Sequence, residues 1–114
     1  MIKSMTGFAS LTRDEASVTI SVTIRAVTIS NALGLHARAA ARFVQLAGTF
    51  TAQIRVDRTG RIIDGKSIMG LLTLAAARGT SITIGADGAD EGDAVAALVA
   101  LVERGFDEEA ACSS

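Results

Sequence analysis

The most constraining feature of the sequence is the order in which its hydrophobic periodicity changes. From residue 25 onward, short alternating stretches trade places with stretches of helical spacing. Val27 and Ile29 sit two apart. Leu35, Ala39, Ala40, Phe43, Leu46 and Ala47 then recur at helical intervals, from close to His36 to Gly48. Thr51–Asp57 alternates again, with Ala52, Ile54 and Val56 on one face. Arg58-Thr59-Gly60 reads as a tight turn and Arg61–Asp64 as its hairpin partner. Ser67 is placed to cap an apolar segment, Ile68–Ala77, ended by Gly79. Ser81–Gly85 returns to alternation, with Ile82 and Ile84 inward. Asp87-Gly88-Ala89-Asp90 is then a turn and cap before a last helix, Ala94–Glu103, with Val95, Leu98, Val99, Leu101 and Val102 on its core side. The order β-α-β-β-α-β-α predicts a two-layer α+β domain, a sheet with helices on one face.

Upstream the pattern is harder to place. Val18, Ile20, Val22 and Ile24 alternate strictly on even numbers, whereas Val27 and Ile29 fall on odd ones. A strand with one buried face does not tolerate that slip, so a bulge or a break is expected near Arg25-Ala26. Residues 1–22 are therefore read as an N-terminal extension, flexible or an added strand, and residues 23–114 as the domain, with a fraying acidic tail beyond Phe106.

Composition narrows the function. With 114 residues there is one domain. A 49% hydrophobic share against 20% charged supports a packed core. Four Phe with no Trp or Tyr remove the stacking platforms that single-stranded nucleic acid needs, and a net charge of −1 offers no global pull on nucleic acid or acidic membranes. One Cys and one His exclude a disulfide framework and a Cys/His zinc site. No apolar run is long enough to span a bilayer and no signal-peptide order is present, so a cytoplasmic protein is expected. The charge is polarised: residues 25–78 carry eight basic side chains against two acidic, and residues 87–109 eight acidic against one basic.

Two strings can carry chemistry. In Gly34-Leu35-His36-Ala37-Arg38 the single His sits where a turn meets a helix N-terminus. The unpaired N–H groups and the positive dipole end there favour anions, and Arg38 adds a planar cation suited to phosphate oxygens. An imidazole so placed can accept a phosphoryl group; equally, it can be a helix-end residue without a role. In Gly65-Lys66-Ser67-Ile68-Met69-Gly70 the serine is an N-cap or a site where added phosphate charge is tolerated. Gly60 to Ser67 spells G-x-x-x-x-G-K-S, but an apolar hairpin strand fills the place of a glycine-rich cradle, which excludes nucleotide hydrolysis.

Together these strings resemble HPr, the histidine-containing phosphocarrier family of the phosphoenolpyruvate:sugar phosphotransferase system. Val27-Thr28-Ile29, Gly34-Leu35-His36-Ala37-Arg38 and Ala40-Ala41-Arg42-Phe43-Val44 match in order. So do Gly65 through Ala75 and Gly88-Ala89-Asp90-Glu91 with its Ala/Leu-rich helix, over about residues 25–106. The resemblance implies an open-faced β-sandwich: four antiparallel strands covered on one face by three helices. It implies that His36 takes a phosphoryl group on Nδ1 from phosphorylated enzyme I and passes it to an enzyme IIA domain, with Arg38 steadying the group. Ser67 is implied as the regulatory serine of HPr kinase/phosphorylase, and Ile68, Met69 and Leu72 as partner-docking positions on a monomer. No cofactor is implied. The alternatives are a nitrogen-type regulatory phosphocarrier and a non-phosphorylated binding module of the same fold.

Two departures stand out. The chain has no proline, where about five are expected at background frequency, and Ala39 stands where the family usually has Pro. Alanine preorganises a first helical turn less than proline, but the helix is still expected to form and phosphotransfer to survive. Residues 1–9 resemble the opening of YicC-type endoribonucleases, over too short a stretch to import their function.

Overall fold

The structure is a computed structural model, which describes residues 22–107. Among these, β1 (Thr23–Thr28), β2 (Gln53–Arg58), β3 (Arg61–Asp64) and β4 (Ser81–Asp87) form one antiparallel sheet in the order β1-β4-β2-β3. Helices α1 (Ala37–Ala47), α2 (Ile68–Thr73) and α3 (Glu91–Glu103) cover one face, and a 3-10 turn spans Gly105–Asp107. This is the two-layer α+β domain expected from the order of periodicities, in the open-faced form that the resemblance implied. The alternation explains it: Ile54, Val56, Ile82, Ile84 and Ala86 turn to the helices and are buried with Phe43, Leu71, Leu98, Val102 and Phe106. The intervening side chains face away from the helices.

The junction between β2 and β3 is the predicted tight turn. Arg58 pairs with Arg61, and Thr59 and Gly60 bridge them at φ 49° and 91°. Two successive positive φ values suit the twist of a two-residue hairpin. Asp90, expected as a helix cap, opens α3 but caps nothing within it. Its carboxylate instead accepts hydrogen bonds from the N–H groups of Thr51 and Ala52, both at 2.9 Å, and from the Thr51 hydroxyl at 3.2 Å. It thereby ties the start of α3 to the entry of β2.

Two expectations are corrected. The strand at Arg25-Ala26 has neither bulge nor break: the β1–β4 register runs unbroken from Thr23↔Ala86 to Thr28↔Ser81. The phase slip arises because Ile24 lies on the open face, 62% exposed, while Val27 lies on the helix face and is buried. Residues 18–21, where the rest of the pattern falls, lie outside the described residues, as does the acidic tail from 108. Helix α2 stops at Thr73 and does not reach Ala77. Leu74 and Ala76 are both buried, and the chain turns them inward through Ala75 at φ 51°, which breaks the helix.

The three hydrogen bonds that Asp90 accepts hold its carboxyl below the ordinary value of 3.8, led by the one from the Thr51 N–H. A lowered folded-state pKa gives stability present above the ordinary value and lost as pH falls through the lowered one. Asp90→Asn should therefore unfold at lower denaturant than the parent at pH 7. The gap should narrow below about pH 4, as urea titrations across pH would show.

Candidate functional site

The site is built on the turn Asn31–Gly34 and the first turn of α1. Asn31 is the one buried polar side chain among the described residues, at 1% exposure. Its Nδ2 donates to the Gly34 carbonyl at 2.8 Å, and the same carbonyl accepts the His36 N–H at 3.0 Å. The Gly34 N–H returns to the Asn31 carbonyl at 3.1 Å, closing the turn. Leu35 then plugs into the core, and its N–H donates to the Ala76 carbonyl at 2.8 Å. That bond straps the loop to the segment leaving α2.

Gly34 is required on two counts. Its φ is +70°, and a Cβ there would stand 2.6 Å from the Ala76 carbonyl oxygen and 2.9 Å from the Ala77 Cα. On the other side of the strap, the exposed Ala75 accepts a left-handed φ of 51° that places the Ala76 carbonyl toward the loop. Arg58 reaches in from β2, its guanidinium donating to the Leu74 carbonyl at 2.7 Å, and secures the end of α2 from below.

So held, His36 is the N-cap of α1, with extended backbone at φ −91° and ψ −177°. Its Nδ1 accepts the Arg38 N–H at 3.2 Å. An accepting ring nitrogen offers a lone pair, which Nδ1 thus turns to the first turn of α1. The first helical bond is Ala40 N–H to the His36 carbonyl, leaving the N–H groups of residues 37–39 at the open end of the helix beside that lone pair. The Arg38 side chain is exposed there. Ala39, where the family usually has Pro, is fully buried in the first turn, and the helix forms as expected without it.

Ser67 caps α2: its Oγ accepts the Gly70 N–H at 3.0 Å. Ahead of it Gly65 is pressed against Ile54, so closely that a Cβ would fall 2.4 Å from the Ile54 Cγ2. The Lys66 ammonium donates to the Phe50 carbonyl at 2.8 Å. The Gly-Lys-Ser string is thus part of a packed corner, with no phosphate cradle. Ile68 and Met69 are exposed, Met69 by 74%, whereas Leu72 is half-buried and packs on the core. Leu33, in the loop before His36, is a further exposed apolar side chain, at 74%, that the sequence reading passed over. It also passed over Asn31, which a turn-favouring residue type signals, and Arg58, which no local pattern signals. Among the described residues no helix is long and apolar enough to cross a membrane.

The fold is thus a small α+β domain that presents the chain's single histidine at a helix N-terminus, its Nδ1 lone pair turned to that helix. Comparisons with known proteins give its family. The family model for the PTS HPr component phosphorylation site matches residues 23–104. The phosphocarrier protein HPr of Cupriavidus necator is 51% identical over 84 residues, covering 74% of this chain and 94% of that protein. The HPr of Pseudomonas putida is 49% identical, with the same coverage. Among solved structures, HPr from Thermoanaerobacter tengcongensis aligns with a TM-score of 0.73 at 42% identity, over 75% of this chain and 97% of that one. The chain belongs to the HPr family of phosphocarriers of the phosphotransferase system, whose members carry phosphoryl groups and are not themselves enzymes.

Gly34→Ala should be severely disruptive. A left-handed non-glycine residue alone costs roughly 1–2 kcal/mol, and the contact with Ala76 adds to it. A loss of more than about 2 kcal/mol in urea unfolding is expected. Gly60→Ala, at φ +91° but with nothing within 4 Å of the added Cβ, should cost less.

Proposed function

We propose that His36 accepts a phosphoryl group on Nδ1 from phosphorylated enzyme I and delivers it to an enzyme IIA domain. The observation that carries this reading is the Nδ1 lone pair beside the open N-terminus of α1. In the transfer, the bond between phosphorus and the donor's nitrogen breaks as the bond to His36 Nδ1 forms. No water enters, so the group is passed on and not hydrolysed. As phosphorus approaches, the Arg38 N–H gives up Nδ1 and turns its donation to a phosphoryl oxygen. The dipole end of α1 and the exposed Arg38 guanidinium favour the added negative charge. None of this requires a closed cavity, which suits a carrier that must meet a donor and an acceptor in turn.

Partner contact in this reading falls to the apolar positions around the site. Ile68, Met69 and the exposed edge of Leu72 offer an adaptable surface, Met69 above all because its side chain repacks readily. The basic side chains of residues 25–78 favour acidic-rimmed partners and fast encounters. Ser67 is the regulatory position for HPr kinase/phosphorylase. Its Oγ already faces the Gly70 N–H, so a phosphate there keeps a helix-end partner while adding negative charge beside the docking side chains.

Incubation with radiolabelled phosphoenolpyruvate and catalytic enzyme I should give an acid-labile label on the parent protein. His36→Ala, verified as folded by circular dichroism, should take up none. Absence of label on the parent, or its persistence on the variant, would overturn the assignment and favour a non-phosphorylated binding module.

A further inference from the structure

The face of the sheet turned away from the helices carries a trough that the phosphocarrier reading does not use. Its apolar walls are Ile24 on β1 and Ile62 on β3, each with 62% of its surface exposed, and its volume is about 290 Å³. Between them the floor drops at Gly85, which stands in register between Ile24 and Arg55. A Cβ on Gly85 would come no nearer than 3.7 Å to Ile24, so the depression is not a packing requirement of the fold. The trough is also acidic. Asp57 and Asp87 line it, and Asp64 stands on the same face, in register with Arg55. Arg55 is the cation that the strands place among these carboxylates, yet its guanidinium donates to Gln53 Oε1 at 3.1 Å. Among the described residues none of the three carboxylates forms an ion pair. Asp57 Oδ1 is in addition shielded from solvent and accepts no hydrogen bond.

We propose that this trough docks an extended, basic segment of a partner protein, with the side-chain order apolar-x-cation-x-apolar. Charge selects the occupant. Carboxylates without an ion-pair partner, around an arginine engaged elsewhere, favour a cationic ligand, and the like charge of the same face on a second copy opposes self-association. Spacing sets the order. Crossing from β1 to β3 takes three strand spacings, roughly 14 Å. In an extended chain the side chains on one face recur every two residues, and residues i and i+4 stand about 13 Å apart. Apolar side chains at those two positions therefore meet Ile24 and Ile62. The side chain at i+2 falls over the floor at Gly85, where the missing Cβ leaves it room. A Lys or Arg there lies among the carboxylates that line the trough. The terminal torsion of an aspartate is soft, so Asp57 can turn its unsatisfied oxygen to that cation. A charge-assisted hydrogen bond then satisfies an acceptor that the fold itself leaves without a donor. The chemistry drawn to this face is the reverse of that drawn to the histidine, where basic side chains favour acidic-rimmed partners.

The probe is the peptide acetyl-Ile-Thr-Arg-Thr-Ile-amide, titrated into the full chain at low salt and followed by amide chemical shifts. The signals of Ile24, Arg55, Asp57, Ile62, Thr83 and Gly85 should move, and those of Gly34, His36, Ser67 and Met69 should stay. The same peptide with Glu in place of Arg should bind at least about fivefold more weakly. The Arg peptide should lose as much on Asp57→Asn, and Ile62→Lys, an exposed substitution outside the core, should abolish the shifts. No shifts, equal binding of the Glu peptide, undiminished binding by Asp57→Asn, or shifts centred on the acidic start of α3 would overturn the proposal. So would movement of the same signals on dilution of the protein alone, which would point to a second copy. Phosphoryl labelling of His36 should be the same with and without Ile62→Lys, so failure here leaves the phosphocarrier reading standing.

Discussion

The Leu35 N–H to Ala76 carbonyl bond is the contact on which the site depends. It joins two segments that the sequence separates by 41 residues, and each side is distorted to make it. On the loop side Gly34 must be a glycine, because any Cβ would strike the same carbonyl. On the helix side α2 ends early and Ala75 takes a left-handed conformation that few non-glycine residues adopt. Leu35 and Leu74 are both buried on either side of it, and Arg58 holds the end of α2 through the Leu74 carbonyl. The result is a turn closed by hydrogen bonds on both sides, and His36 follows it directly. A carrier must be accessible and ordered at once, and a loop strapped from beneath meets both demands.

How much of this was legible in the sequence depends on whether a residue acts through local or distant contacts. Ala52, Ile54, Val56, Ile82 and Ile84 announced their buried face through alternation alone, and the structure buries all of them. His36 and Ser67 were legible as helix starts because capping is set by neighbours along the chain. The end of α2 was not, because Leu72 through Ala77 is helix-compatible in composition and only the needs of Leu35 and the core turn it. Arg58 and the Asp90 carboxylate likewise act on segments far away in sequence, so their residue types gave no hint of their partners. The slip at Arg25-Ala26 was read as damage to a strand; it marks a change of face, which periodicity can detect but cannot interpret without knowing that both faces of the sheet matter.

The sheet thus separates two roles. Its helix side holds the core and the histidine turn, with Leu33, Ile68 and Met69 exposed. Its open side carries none of these residues and offers an apolar trough between Ile24 and Ile62.

The central claim is that Nδ1 of His36 is the nitrogen that takes the phosphoryl group. Long-range proton–nitrogen correlation spectra of the imidazole test it most directly, recorded before and again after phosphorylation. The account predicts a ring protonated on Nε2, with Nδ1 showing the shift of an unprotonated nitrogen and then coupling to phosphorus. A ring protonated on Nδ1, or phosphorus coupled to Nε2, would contradict it.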